Sequence, residues 1–168
     1  MGLFRHDDDN RTRYRMVEKM VSVGDDSWIE DADGERIYKV DGKAMRMRDT
    51  MALKDRHGQE VAWIQEPVVH VRDTMNITIG DVHATVKKKI VSIRDKFLVE
   101  VDNGPGYEAK GNLVDHEYEI EREGTTVGWV SKKWFRVRDS YGIEVAQGEH
   151  DVMILCIAIC IDAMTERV

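Results

Sequence analysis

The sequence predicts an all-β domain of about twelve short strands, arranged either as a sandwich or as a barrel. Three observations support this prediction. A motif with apolar residues at every second position recurs along the chain, its copies are 21 to 24 residues apart, and turn signals separate short apolar runs throughout. Period-two alternation is typical of β-strands that are buried on one face. A near-constant spacing indicates one supersecondary unit that is used several times.

The repeated motif is apolar–any–apolar–Arg–Asp, followed by further apolar residues at alternate positions. It has four clear copies, a degenerate copy that starts at Asp115 and a fainter one at Gly24. The clear copies begin at residues 45–49, 69–73, 91–95 and 135–139. Two strands per unit and about six units give roughly twelve strands.

The alternation also predicts which side chains face the interior. The arginines that precede each Asp should point outward. The Asp itself falls in phase with the core, where an unpaired carboxylate is costly. We therefore expect a bend or bulge at each Arg-Asp pair, with the Asp bonding to backbone N–H groups. The apolar positions expected to face inward are Met45, Met47, Val69, Val71, Val91, Ile93, Phe135 and Val137.

The last segment of the chain departs from this pattern. Residues 152–161 form a run of ten apolar residues without alternation, with Asp151 before it and Asp162 after it. Periodicity does not separate a buried strand from a helix that is apolar on every side. As a helix the run spans roughly 15 Å, which is too short for a membrane core of about 30 Å. Such a helix must be surrounded by protein, and a barrel of amphipathic strands would enclose it. Asp151 would then be the N-cap or a first-turn acid.

Turn signals and composition predict one domain without a linker. A polar tail of residues 1–12, which we expect to be mobile, precedes a single domain of residues 13–168 with the helix at about residues 151–164. The chain has 25 basic and 32 acidic side chains and a formal charge of −7, which disfavours non-specific nucleic-acid binding. Its two cysteines are too few for a disulfide framework. We expect no secretory signal, because the first residues show no charged segment followed by an apolar one. We expect a cytoplasmic protein that can associate with a membrane surface.

No motif in the sequence indicates catalysis, a cofactor or a metal site. The chain lacks a G-x-S-x-G elbow, a P-loop and HExxH spacing, and its six histidines are expected at the surface. The acidic residues Asp25, Asp26, Asp31 and Asp33 do not reproduce an EF-hand loop. Cys156 and Cys160 are expected to pack in the core. We therefore expect a protein that is not an enzyme and that has no cofactor.

Two lysine clusters are the candidate binding residues. Lys87, Lys88 and Lys89 follow one predicted strand, and Lys132 and Lys133 follow another. If the repeat holds, these strands are equivalent and the clusters form one patch that contacts an anionic headgroup. The alternative is that they are solvated strand ends that discourage edge pairing. A separate hypothesis is a protein-binding surface, for which exposed Trp28, Trp63 or Trp134 would be the anchors.

The order of several motifs resembles a known family. These motifs are residues 107–112, 118–120, 129–134 and 139–145, followed by Asp151 and the apolar run ending in Ile161-Asp162. They resemble the LURP-one-related family, of the tubby C-terminal-like and phospholipid scramblase superfamily, from about Tyr14 to Met164.

The resemblance implies an all-β fold with a central helix: a closed twelve-stranded, tubby C-terminal-like β-barrel that encloses a hydrophobic C-terminal α-helix. It also implies a non-enzymatic binding or scaffold module with weak association with anionic lipid headgroups. Tubby domains bind phosphoinositide headgroups through basic residues, which the resemblance does not place on positions of this chain. The alternatives are a protein–protein interaction module without lipid binding and, less favoured, an enzyme with a pocket at a barrel end.

Overall fold

The computed structural model describes residues 10–17, 27–42, 50–67, 73–91, 94–134 and 140–165. Within these ranges the chain forms twelve strands and one helix. In chain order they are β1 (Thr12–Val17), β2 (Ser27–Asp31), β3 (Arg36–Asp41), β4 (Thr50–Asp55), β5 (Glu60–Gln65), β6 (Thr74–Ile79), β7 (Val82–Val91), β8 (Arg94–Val101), β9 (Tyr107–Asn112), β10 (Glu117–Arg122), β11 (Thr125–Ser131), β12 (Ser140–Val145) and α1 (Asp151–Thr165).

The strands form a closed barrel in which each strand pairs antiparallel with the next one in the chain. The first strand closes the barrel by pairing with the last, with Thr12 opposite Val145 and Val17 opposite Ser140. This confirms the predicted fold class and decides between sandwich and barrel in favour of the barrel.

The sequence repeat corresponds to one even-numbered strand and the odd-numbered strand that follows it. We call the Arg-Asp pair of each copy, or Asp115 in the degenerate copy, its anchor. The described anchor residues Asp73, Arg94 and Asp115 lie just before or at the start of β6, β8 and β10. Even-numbered strands all start at one end of the barrel, where odd-numbered strands finish, and we call this the anchor end. Arg48 and Arg138 lie outside the described residues. So do the predicted inward-facing residues of the motif, including the side chain of Val91.

The expected bend at the Arg-Asp pairs is present at one described copy and absent from another. Asp73 has a φ of 57°, is exposed, and accepts a hydrogen bond at its carbonyl oxygen from the N–H of Lys88 at 3.0 Å. Asp95 instead continues β8 in regular register opposite Ile90, so the prediction is wrong there. Because β7 and β8 are long strands, their pairing extends past the position where the shorter hairpins turn. Asp49 and Asp139 lie outside the described residues.

The apolar C-terminal run is a helix that fills the barrel. Every residue of α1 from Met153 to Met164 is buried, which is possible because the barrel wall surrounds the helix on all sides. The packing is close: a Cβ at Gly128 of β11 would lie 3.1 Å from Cγ2 of Ile154. Asp151 is the first-turn acid. The N-cap role belongs to His150, whose Nδ1 accepts the N–H of Met153 at 3.3 Å.

The seam between the first and last strands is sealed on the outer wall. Glu144 of β12 points outward, yet it is buried because the Arg11 and Arg13 side chains cover it. Arg11 Nη1 lies 3.1 Å from Glu144 Oε2, and Arg13 Nε donates to Oε1 at 2.9 Å. The Arg11 guanidinium also stacks on the ring of Trp129, with its carbon 3.5 Å from the centroid. These contacts link β1, β12 and β11 across the point of closure.

Candidate functional site

Both predicted lysine clusters lie toward the anchor end of the barrel. Lys87, Lys88 and Lys89 are in the second half of β7, and Lys132 and Lys133 directly follow β11. Both strands are odd-numbered and therefore run in the same direction. Three strands, β8 to β10, separate them in the wall.

Two further lysines lie between the clusters. Lys96 of β8 is directly opposite Lys89, and Lys110 is on the neighbouring strand β9. Lys89, Lys96 and Lys110 each lie two residues from the end of their strand at the anchor end. This separation is about 7 Å along the strand, at a rise of about 3.3 Å per residue. We call Lys89, Lys96, Lys110, Lys132 and Lys133 the basic rim. Sequence reasoning did not find Lys96 or Lys110, because their position depends on strand register.

The two remaining predicted lysines are placed differently. Lys88 is in phase with the buried Val86 and directly opposite the buried Phe97, so it is half-buried on the inner face. Lys87 faces outward but is farther from the strand end, and its Nζ lies 2.9 Å from Glu100 Oε2. This hydrogen bond and the charge of Lys87 lower the pKa of the Glu100 carboxyl. A role for Lys87 and Lys88 in headgroup contact stays a prediction.

Carboxylates on the same wall balance part of the basic rim. Lys96 Nζ lies 2.6 Å from Glu108 Oε1, while Lys110 Nζ lies 3.3 Å from that oxygen and 2.9 Å from Glu121 Oε2. Burial raises the pKa of Glu108, but hydrogen bonds from the two lysines outweigh it and lower the pKa overall. Hydrogen bonds to Glu121 and Glu108 raise the pKa of Lys110. Pairs of this kind near the protein surface typically contribute only about 0–1 kcal/mol.

A fixed corner positions Lys132 and Lys133. The Ser131 hydroxyl donates to Glu117 Oε2 at 2.8 Å, and the backbone N–H of Lys132 donates to Glu117 Oε1 at 3.1 Å. The Ser131 Oγ in turn accepts the backbone N–H of Lys133 at 3.1 Å. These bonds explain the serine at position 131, and the two residues that follow it contribute only their backbone N–H groups. The corner orders the backbone and leaves the Lys133 side chain exposed.

The turn between β9 and β10, which lies within the basic rim, requires a glycine and an asparagine. Gly111 has a φ of 132°, and a Cβ there would lie 2.7 Å from the Glu117 carbonyl oxygen and 2.8 Å from Tyr118 Cα. Asn112 donates from Nδ2 to Asp115 Oδ2 at 2.7 Å and accepts the Asp115 N–H at 3.1 Å. Gly111 and Asn112, which end the motif of residues 107–112, are therefore needed for the shape of this turn.

The same turn is joined to the end of the central helix. His116 Nε2 lies 2.9 Å from Asp162 Oδ1, and the His116 ring stacks on Tyr141 with centroids 4.2 Å apart. Both His116 and Asp162 are buried. The prediction of a surface position is wrong for His116, because a buried Asp162 carboxylate requires a partner inside the barrel. The contact ties the β9–β10 turn to the last turns of α1.

The tryptophans proposed as protein anchors are half-buried rather than exposed. Arg36 lies over Trp28 with its guanidinium carbon 4.9 Å from the ring centroid, and Arg13 lies over Trp134 at 5.4 Å. Trp63 is half-buried on β5. Cationic side chains thus cover two of these three rings, which reduces the aromatic surface available to a partner.

The described residues contain no group of three or more His, Cys, Asp or Glu side chains arranged to hold a metal ion. Cys156 and Cys160 are free thiols buried in α1, and burial raises the pKa of Cys156 to about 12. A thiol in this environment is neutral and inert. Of the described helices, none has the length and apolar character that crossing a membrane requires.

Comparison with known proteins gives the family of this chain. A crystal structure of a protein from Arabidopsis thaliana has the same fold, with a TM-score of 0.70 and 16% sequence identity over 95% of this chain and 94% of that chain. No curated protein matches this chain. The family model for LURP-one-related proteins matches residues 12–162, from the first strand to the last turns of α1. The chain therefore belongs to the LURP-one-related family.

Proposed function

We propose that this protein is a non-enzymatic binding module that associates weakly with anionic lipid headgroups through the basic rim. The observation that carries the proposal is the convergence of five lysines from β7, β8, β9 and β11 on one end of the barrel. Lysine is a compact cation that contacts phosphate as a point charge. The clustering brings five cationic side chains to one end of a chain whose net charge is negative.

The filled interior supports binding on the outside of the barrel. All residues of α1 from Met153 to Met164 are buried, so the helix occupies the space in which an active site inside the barrel would form. This disfavours catalysis inside the barrel and leaves the outer wall and the ends of the barrel as the binding surfaces.

The local charge predicts a weak and salt-sensitive association. A lysine close to an anionic membrane surface contributes about 1 kcal/mol. Two rim lysines are paired with Glu108 and Glu121, so only part of the rim charge acts at full strength. Exposed charges are screened beyond a Debye length, which is about 10 Å at 0.1 M salt and about 3 Å at 1 M.

The test is co-sedimentation with phosphatidylcholine vesicles, with and without phosphatidylinositol bisphosphate, at about 0.1 M and about 1 M salt. The rim variant is Lys89→Glu with Lys96→Glu. The matched control is Lys39→Glu with Lys54→Glu, which changes another directly opposite lysine pair, on β3 and β4, and alters net charge equally. Thermal unfolding verifies that each variant is folded.

We expect the wild type to bind only the anionic vesicles and to dissociate at the higher salt. The rim variant should lose about 2 kcal/mol, or about thirtyfold in partitioning, whereas the control should bind as the wild type does. Equal losses in both variants would assign the effect to overall charge rather than to the rim. Absence of wild-type binding at either salt would overturn the proposal and favour the protein–protein interaction module.

A further inference from the structure

We propose that the β9–β10 turn is a membrane wedge, whose tip residue Val114 enters the lipid interface when the basic rim engages headgroups. This inference rests on the proposed function and adds two things to it. It orients the barrel with its anchor end toward the bilayer, and it identifies the residue that makes apolar contact with lipid.

The first support is where the exposed apolar side chains are. Val114 is 64% exposed, and the other exposed large apolar side chain of the described residues is Val82, at 41%. A single exposed valine is common, so exposure alone decides nothing. The two valines, however, lie at opposite ends of the barrel. Val114 is at the tip of the turn between Lys110 and the Lys132 corner, within the basic rim, whereas Val82 begins β7 at the far end.

The second support is the rigidity of the turn. Neighbouring apolar residues are placed oppositely, since Leu113 is buried while Val114 projects. The Asn112–Asp115 hydrogen bonds fix the turn internally, and the contact of His116 with Asp162 ties it to α1. A side chain held in position loses little conformational freedom on insertion, so more of its apolar contact contributes to affinity.

The third support is the placement of the nearest carboxylates. Donors within the protein orient all three of them: Asn112 bonds to Asp115, Ser131 and the Lys132 N–H bond to Glu117, and His116 contacts Asp162. Asp162 is buried and Glu117 is half-buried, whereas Asp115 is exposed beside Val114. Lys133 has an exposed side chain, and so has Lys110, whose ammonium group is paired with Glu108 and Glu121. The surface around Val114 therefore combines an apolar tip with outward cations. Proteins that bind anionic membranes use the same combination of apolar burial and electrostatic attraction.

The first experiment measures vesicle partitioning of the full chain carrying Val114→Asp or Val114→Trp. The controls are Val82→Asp and Val82→Trp at the opposite end. With vesicles containing phosphatidylinositol bisphosphate, Val114→Asp should weaken partitioning about tenfold and Val114→Trp should strengthen it several-fold. Both Val82 variants should partition as the wild type does. Binding of soluble inositol trisphosphate should be the same in the wild type and in the two uncharged Trp variants, because Val114 contacts only the bilayer.

The second experiment places an environment-sensitive fluorophore on Val114→Cys or Val82→Cys. The native Cys156 and Cys160 are 0% exposed, so the label reacts with the introduced thiol. Vesicles should shift the emission to shorter wavelength for the label at 114 and leave the label at 82 unchanged.

The outcomes separate the two proposals. If the wild type binds vesicles but Val114→Asp binds equally well, or the label at 114 stays in water, the wedge is refuted and headgroup binding stands. A shift at 82 instead would refute the orientation. If the wild type binds neither vesicles nor soluble inositol trisphosphate, headgroup binding itself fails and the wedge fails with it.

Discussion

Replacing Ile157 with Asp tests whether α1 is the core of the barrel. Ile157 is fully buried in the middle of the helix. The substitution removes an apolar side chain worth about 2–3 kcal/mol. It also buries a carboxylate without a partner, at a cost of several kcal/mol more. The sum is comparable with the entire stability of a domain, which is about 5–15 kcal/mol. We therefore expect Ile157→Asp to be unfolded at 25 °C.

Near-UV circular dichroism, gel filtration and urea unfolding measure this effect. Val152→Asp is the matched control, because it introduces the same side chain on the same helix at a half-buried position in the first turn. An acid is favourable there because of the helix dipole, so the control should remain within about 1 kcal/mol of the wild type. Ile157→Val should lose only about 1 kcal/mol. A folded Ile157→Asp with the wild-type urea midpoint would show that the helix is peripheral.

Two further predictions concern the stability of the barrel. Gly106→Ala should lower the free energy of unfolding in urea by about 3 kcal/mol or more, because the new Cβ would lie 2.2 Å from the Val99 carbonyl oxygen on the paired strand. Gly104→Ala should be nearly neutral, because the nearest neighbour of its Cβ would be 3.8 Å away. Equal effects of the two substitutions would contradict this reasoning. The free energy of unfolding should also decrease above about pH 8.5, and Cys156 should contribute up to about 1.4 kcal/mol per pH unit to this decrease. Burial raises the pKa of the Cys156 thiol in the folded protein to about 12. Only the unfolded chain therefore releases this proton between about pH 8.5 and pH 12. Cys156→Ala should remove that part of the slope, and an unchanged slope would assign the effect to other groups.

The fold was largely predictable because its signals are local. Alternation identifies a strand within a few residues, and the spacing of the Arg-Asp anchors gives two strands per unit without any knowledge of pairing. Helix and strand could not be separated for residues 152–161, since a segment that is apolar on all sides has no period to measure. The barrel around it decides that question by enclosing it completely.

The candidate site was only half predictable, because register is not local. The lysine run in β7 and the pair after β11 were visible as clusters, but Lys96 reaches the rim by pairing opposite Lys89. The repeat held a signal for Lys96, since it occupies an outward position between Asp95 and the core residue Phe97. The contact of His116 with Asp162 had no such signal, because its partners are 46 residues apart.

The closed barrel also weakens the alternative hypothesis that the lysines only discourage edge pairing between strands. Charged residues on strands often protect a free edge from pairing with another chain. Every one of the twelve described strands pairs on both sides, so this wall has no edge to protect. Lys89 and Lys96 moreover face each other directly, an arrangement of like charges that is destabilising. Glu108, whose Oε1 lies 2.6 Å from Lys96 Nζ, offsets part of that cost. We propose that an anionic ligand offsets the rest, and the Lys89→Glu and Lys96→Glu variant tests that proposal.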